Sequence, residues 1–514
     1  MQMRKHSLIA VAVTLFSAGC TLQPHYERPA APVAATFPSS GVYATQPTAS
    51  GAASAHGQAA ADIGWREFFA DPRLQRIIEI ALANNRDLRV AVLNVDQARA
   101  QYRIARAELF PAIDAKGGKS VTRTPKDFSQ FGQTISEQYT VGLEASWELD
   151  FWGRVRSLKD QALEQYLSTA QARKAAEIAL VSQVADQYLQ MLSVDDLLKV
   201  TEDTLKTAQS SYDITKLKFD NGTGSELDVR QAETVLEAAR ANQQAQARAR
   251  AQAENALVLL IGEPLPADLP TGRPLDDQGL LTDIPAGLPS DLLTRRPDIM
   301  EAEASLLAAN ANIGAARAAF LPKITLTGSG GTTSLTLDGL FKPGSATWNF
   351  APQITLPIFE GGQNLANLDL AHVQKNIGIA KYEKAIQSAF REVADGLAAR
   401  STYDEQIAAL ERNTFAQQRT LDLSQLRYQN GVDSYLQVLT AQTNLYSAQQ
   451  LLIDARAARL ANLVDLYTAL GGGWLQHTGE TPRPADAPVD YQAAQATVPA
   501  SASKAAPAKA ASAS

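Results

Sequence analysis

The residues of this chain that could do chemistry are few and poorly placed for it. The five histidines, His6, His25, His56, His372 and His477, are far apart, and no two have the spacing that puts metal ligands on one helix face. Cys20 is the only cysteine, so there is no disulfide framework and no thiolate metal site. No glycine-rich loop carries the lysine of a phosphate cradle. The arginines of Arg295-Arg296-Pro297-Asp298 could contact a phosphate or a lipid; Pro297, however, suits the start of a helix and Asp298 its positive end, which makes the motif structural. The expectation is no catalytic residue, no metal and no enzyme. Any energy-using step then belongs to a partner. A net charge of -7 without a basic stripe argues against nucleic acid.

What the chain carries instead is periodicity. From Tyr139 to Leu149, Tyr139, Val141, Leu143, Ala145, Trp147 and Leu149 alternate with Thr140, Gly142, Glu144, Ser146 and Glu148, a strand pattern of period two. Eleven residues exceed the usual half-buried strand and suit a tilted transmembrane one of about 9 to 11. Trp348 to Ile358 repeats the pattern. Weaker partner strands, 111–116 and 322–327, precede each, so two hairpins are expected. Trp147, Trp152 and Trp348 read as lipid-interface anchors in preference to a ligand cage. Beyond the first 20 residues no apolar run approaches the roughly 20 residues of a membrane helix, so strands must make any crossing.

Helices fill the rest. No proline interrupts 155–263, and Ile178, Val181, Ala185, Tyr188 and Leu192 step by three and four as a coiled-coil seam; Ile379, Tyr382, Ile386, Ala389 and Val393 do the same. Residues 155–219 alone would make a helix on the order of 100 Å long. Asn221-Gly222 and Asn430-Gly431 mark matching turns 209 residues apart, with Ser225 and Ser434 as N-cap candidates. The chain therefore divides into a signal (1–19), a flexible leader (20–61), a first repeat (62–263), a connector (264–290), a second repeat (291–473) and a disordered tail (474–514). Four strands cannot close a barrel, for which about eight is the usual minimum, and lipid tolerates no open sheet edge. Three copies would supply twelve strands, with Thr140, Glu144, Glu148, Gln353 and Thr355 lining a wet passage.

Residues 1–19 read as an export signal, with Arg4 and Lys5 before an apolar run from Leu8 to Phe16. Ala18 and Gly19 ahead of Cys20 resemble a bacterial lipoprotein processing site, with Ser17 where that motif usually has leucine. The resemblance implies acylation of Cys20, the only non-protein group expected; the alternative is an ordinary cleaved signal with an incidental cysteine. Thr21 in place of aspartate is compatible with passage to the outer membrane.

Four segments carry a wider resemblance: Trp65 to Leu74; Trp147-Glu148-Leu149-Asp150-Phe151-Trp152-Gly153-Arg154; Leu292 to Ile299; and Arg427-Tyr428 through Ala441-Gln442. In this order they are similar to the outer membrane factor family of tripartite efflux systems, the TolC and OprM group, and most to its lipoprotein branch. The resemblance implies a trimeric channel-tunnel, a membrane β-barrel plus a long α-helical barrel, with four transmembrane strands per chain and two tandem structural repeats. It implies a homotrimer in outer membrane lipid that extends into the periplasm and works with a periplasmic adaptor (membrane fusion) protein and an inner membrane efflux transporter.

By the match to Gly431, the periplasmic aperture falls on 433–440. A family carboxylate position there is Thr440, which leaves Asp433, Tyr435, Leu436 and Gln437 as candidates. Helix capping by Asp433 and packing by Leu436 are the plain alternatives. Tyr212 and Tyr428 either tie adjacent helices near this end or pack in an ordinary core. The function implied is an exit duct for antibiotics and other small toxic compounds. A protein-secretion channel and a structural coiled-coil lipoprotein are the alternatives, and the hairpins argue against the last.

Overall fold

The computed structural model describes residues 21–43, 59–125, 127, 135–282, 284, 287, 289–481 and 484. Its helices are α1 (Trp65–Phe68), α2 (Pro72–Asn84), α3 (Arg86–Ala107), α4 (Arg154–Asp220), α5 (Glu226–Ile261), α6 (Pro289–Arg295), α7 (Pro297–Ala318), α8 (Gln363–Gln429) and α9 (Tyr435–Ala469). The strands are β1 (Ala112–Arg123), β2 (Ile135–Leu149), β3 (Lys323–Ser334) and β4 (Ala346–Thr355). Both long helices, α4 and α8, have 67 residues. The stretch 72–110, which has no interior proline, is two helices. Asn85 breaks it: its Oδ1 accepts from the Leu88 N–H (2.8 Å) at the start of α3, and its Nδ2 donates to the Leu260 carbonyl (2.8 Å).

The chain forms two compact units, and neither is a sequence repeat. Of the described residues, the first takes those within 21–31, 94–170 and 301–384, and the second those within 32–93, 171–300 and 385–484. Each draws on both repeats, because packing follows spatial neighbours and not sequence halves. In the first unit the hairpins join into one antiparallel sheet of order β1-β2-β3-β4, with β2 paired to β3 along 11 residue pairs from Tyr139↔Ser334 to Leu149↔Ile324. β1 and β3 are full strands of 12 residues, not the short partners expected. Gly117, Gly118, Gly328, Gly330 and Gly331 interrupt their alternation and hide their length.

Register sorts the sheet into two faces, since directly paired residues share a side. Ile113, Ala115, Val141, Leu143, Ala145, Trp147, Leu326, Phe350 and Ile354 lie on one. This face is apolar yet exposed, with Leu143 at 59%, Phe350 at 60% and Ile354 at 69%. Toward the β1–β2 loop it changes to Tyr139, Lys119 and Glu137, the last two paired at 2.9 Å. Nine residues, Val141 to Leu149, make the apolar band on β2, the length a tilted strand needs to cross lipid. The opposite face is polar: Lys116 pairs with Glu144, and Glu148 accepts from Lys323 (2.9 Å) and, through both oxygens, from Arg154 (2.8 Å). Gly142 and Gly331 face each other there, and a Cβ on Gly331 would meet the Val141 carbonyl oxygen at 2.2 Å.

The second unit is helical, with Phe68, Phe69, Leu74, Ile77, Tyr188 and Tyr467 among its most buried side chains. Asp71 organises one end: it caps α2 through the Arg73 N–H (2.8 Å) and accepts the Tyr188 hydroxyl and the Arg273 N–H, both at 2.9 Å. Two expectations about chain ends are corrected. The tail does not begin at 474: Trp474 and Leu475 are buried, Trp65 N–H donates to the Leu475 carbonyl (2.9 Å), and Thr478 N–H donates to Glu67 (3.1 Å). Nor is the leader free where it is described. Arg28 is ion-paired with Glu303 in the first unit, and Phe37 stacks on Phe390 at 5.1 Å in the second.

Candidate functional site

The turn between α8 and α9 carries the aperture candidates. Gly431 (φ 72°) adopts the left-handed conformation that ends α8, and the Val432 N–H reaches back to the Arg427 carbonyl at 2.9 Å. That geometry returns Asp433 to the side of Arg427. The guanidinium donates twice to the carboxylate, Nε–Oδ2 at 2.6 Å and Nη2–Oδ1 at 2.9 Å, a fork that fixes orientation as well as charge. Its hydrogen bonds hold the Asp433 carboxyl below the ordinary carboxylate range. Asp433 therefore clips the turn and does not cap α9. Ser434 has the extended N-cap backbone but no side-chain cap bond, unlike Ser225, whose Oγ accepts from the Leu227 N–H at 3.1 Å.

One residue further on, Tyr435 is buried. It packs with Leu421 of α8, Ala232 of α5 and Val438 of α9, with Tyr212 and Tyr428 against the same cluster. The Tyr428 and Tyr435 rings are 5.2 Å apart, and Lys218 Nζ sits 4.0 Å above the Tyr428 ring. Burial pushes the Tyr435 hydroxyl up, while Ser211 and Thr215 of α4 hydrogen-bond to it. Gln442 Nε2 donates to Ser211 Oγ at 3.2 Å. Four helices are thus tied by one aromatic and polar cluster. Leu436 and Gln437 are not in it: both are exposed, as is Thr440, whose hydroxyl donates to its own helix at the Leu436 carbonyl.

Of the aperture candidates, Tyr435, Tyr428 and Tyr212 converge in this cluster, Asp433 pairs with Arg427 in the turn, and Leu436 and Gln437 stand apart. The sequence reading missed Arg427, Lys218 and Ser211 as participants. Arg427 had a signal, a cation six residues before a carboxylate across an Asn-Gly turn; the other two depend on α4 packing, which no local pattern shows.

The tryptophans separate. Trp147 Nε1 donates to the Leu109 carbonyl (3.0 Å) and Trp152 Nε1 to the Pro322 carbonyl (2.9 Å), so each indole fastens one strand end to the segment ahead of the neighbouring strand. Trp348 is 81% exposed and sits opposite Gly330, whose missing side chain leaves the ring room on the apolar face. Cys20 and the signal lie outside the described residues. Among the described residues, no group of three metal-ligating side chains exists, and no helix is long and apolar enough to cross a membrane.

A family model described as outer membrane efflux protein matches residues 77–263 and 288–472. The antibiotic efflux pump outer membrane protein ArpC of Pseudomonas putida is 51% identical over 478 residues, covering 92% of this chain and 97% of its own. The toluene efflux pump outer membrane protein TtgC of the same species gives the same figures. Among solved structures, the open state of the MtrE outer membrane channel of Neisseria gonorrhoeae is 43% identical, with a TM-score of 0.80 over 90% of this chain and 100% of that one. The fold class is that of the trimeric channel-tunnels, a membrane β-barrel joined to a long helical barrel. An amphipathic four-stranded sheet has no use in a helical spacer. The chain belongs to the outer membrane efflux protein family and is an outer membrane channel of an efflux pump.

Proposed function

We propose that the chain acts as a homotrimer, lipid-anchored through Cys20, and forms the passive exit duct of a tripartite multidrug pump for antibiotics and other small toxic compounds. A periplasmic adaptor and an inner membrane transporter supply cargo and energy. The observation that carries this reading is the sheet: one face apolar and exposed, the other polar, and each outer strand, β1 and β4, with one neighbour in the chain. Unpaired edges in lipid cost several kcal/mol per backbone group, so further copies must close them. ArpC and the toluene pump protein, each 51% identical, support the cargo class. In cells lacking the protein, amphiphilic antibiotics and a fluorescent dye are expected to accumulate, and restoring it should clear them. Unchanged retention, with outer membrane location confirmed, would dismiss the reading.

In the same proposal, the Arg427–Asp433 fork and the Tyr428–Tyr435 cluster hold the periplasmic aperture shut, while Trp147, Trp152 and Trp348 anchor the barrel at the lipid interface. Arg427→Ala is expected to raise the resting conductance of the purified channel in a planar bilayer several-fold, whereas the exposed Leu436→Ala should leave it unchanged. Because the Asp433 carboxyl is held below its ordinary value, the wild-type fork persists as pH falls through the usual carboxylate range and opens only beneath it. Equal conductance of Arg427→Ala and wild type at neutral pH removes the fork from the gate.

A further inference from the structure

Four residues of α7, Glu303, Asn310, Gly314 and Arg317, are spaced by seven, four and three and so form one stripe along the helix. The leader lies on it. Arg28 donates to Glu303 through Nε (2.7 Å to Oε1) and Nη2 (2.9 Å to Oε2), and the Tyr26 hydroxyl donates to Oε1 at 3.2 Å. Asn310 Nδ2 donates to the Pro24 carbonyl at 2.8 Å, and Arg317 Nη1 to the Leu22 carbonyl at 3.2 Å. At Gly314 the leader backbone comes so close that a Cβ would meet Gln23 N and Cα at 3.0 Å.

The two partners are matched in length. The leader's hydrogen bonds to α7 come from 22, 24, 26 and 28, every second residue, with Gln23 lying against Gly314 between the first two. The six residue steps from 22 to 28 reach at most about 20 Å, and the fourteen steps of helix from 303 to 317 span about 21 Å. The leader also covers the stripe. With the leader in place Asn310 is fully buried and Glu303 is 9% exposed, and the leader supplies hydrogen bonds that compensate that burial.

We infer that residues 22–28 are an intramolecular ligand of α7, a clip that completes the core of this unit independently of any lipid on Cys20. The test compares three variants of the full-length channel by hydrogen exchange of the α7 amides. One replaces 22–28 by a glycine-serine segment of equal length and keeps Cys20. The second carries Arg28→Gln with Glu303→Gln, which removes the fork and both charges while keeping polar side chains at the two positions. The third is Cys20→Ser behind an ordinary cleaved export signal. Exchange over 303–317 is expected to quicken roughly tenfold or more in the first, less in the second and not at all in the third. Protection at the wild-type level in both of the first two overturns the inference. So does a loss in Cys20→Ser equal to that of the replaced leader, because the lipid would then be what holds the segment.

Discussion

Arg296→Ala is expected to destabilise the helical unit by about 3 kcal/mol. The guanidinium is 8% exposed and uses its whole fork: Nε and Nη2 reach Asp298 at 3.0 and 2.6 Å, and Nη1 reaches Glu392 at 2.8 Å and the Ala469 carbonyl at 2.9 Å. One side chain thereby joins the start of α7, the middle of α8 and the end of α9. The loss belongs at the low end for a broken buried pair, since the Asp298 and Glu392 side chains are 40% and 42% exposed and rehydrate once freed. Arg296→Lys should recover only part of it, because an ammonium cannot span three acceptors in one plane. Denaturant unfolding of the purified protein reads the difference. A change within about 0.5 kcal/mol for Arg296→Ala would show the network to be incidental.

Asp186→Asn is expected to stabilise the protein at pH 8 and to have little effect at pH 4. Asp186 lines a cavity of about 700 Å³ with Asp298, Glu392, Asp395, Asp465 and Arg296. Its Oδ2 accepts from Ser182 Oγ at 3.3 Å, while its Oδ1 meets no donor among the described residues. Burial first, and the Asp465 carboxylate second, push its pKa from 3.8 up to about 7. Burial and Glu392 raise Asp465 as well. The sign follows from linkage. A carboxyl raised in the folded state favours folding when protonated, so that contribution is complete below pH 3.8 and is lost as pH rises through about 7. Asparagine keeps the shape without the charge, and its advantage at pH 8 should be on the order of 2 to 4 kcal/mol. Equal stabilisation at both pH values would mean that Asp186 is ionised throughout.

The long helices were legible because nothing in them competes: proline is absent, and apolar residues keep a three-and-four step over many turns. β2 and β4 were legible for the same reason at period two. β1 and β3 were underestimated where glycines stand in place of side chains, since a pattern of side chains cannot register a residue without one. At the aperture, Asp433 and Tyr435 could be found from the Asn-Gly turn, but sequence could not separate buried Tyr435 from exposed Leu436 and Gln437 beside it. Burial there is decided by α4 and α5, about two hundred residues away. The leader was misjudged for a related reason. Pro-, Ala- and Ser-rich composition reports that a segment makes no structure of its own and is silent about a groove that receives it. Arg28 and Glu303 are 275 residues apart.

The equal lengths of α4 and α8 carry a consequence for how such a chain can evolve. The two helices begin 209 residues apart and end 209 residues apart, and α5 and α9 begin at the same offset. Deleting one residue from α4 would shorten it by about 1.5 Å and turn everything beyond by about 100°, rotating the seam away from its neighbours. The counterpart would keep its phase, and the two would fall out of step. Length changes in these helices are therefore tolerated only in pairs, or in multiples near seven residues that restore the phase. Single insertions and deletions among natural relatives should collect in the β1–β2 and β3–β4 loops and the connector, where no phase is kept.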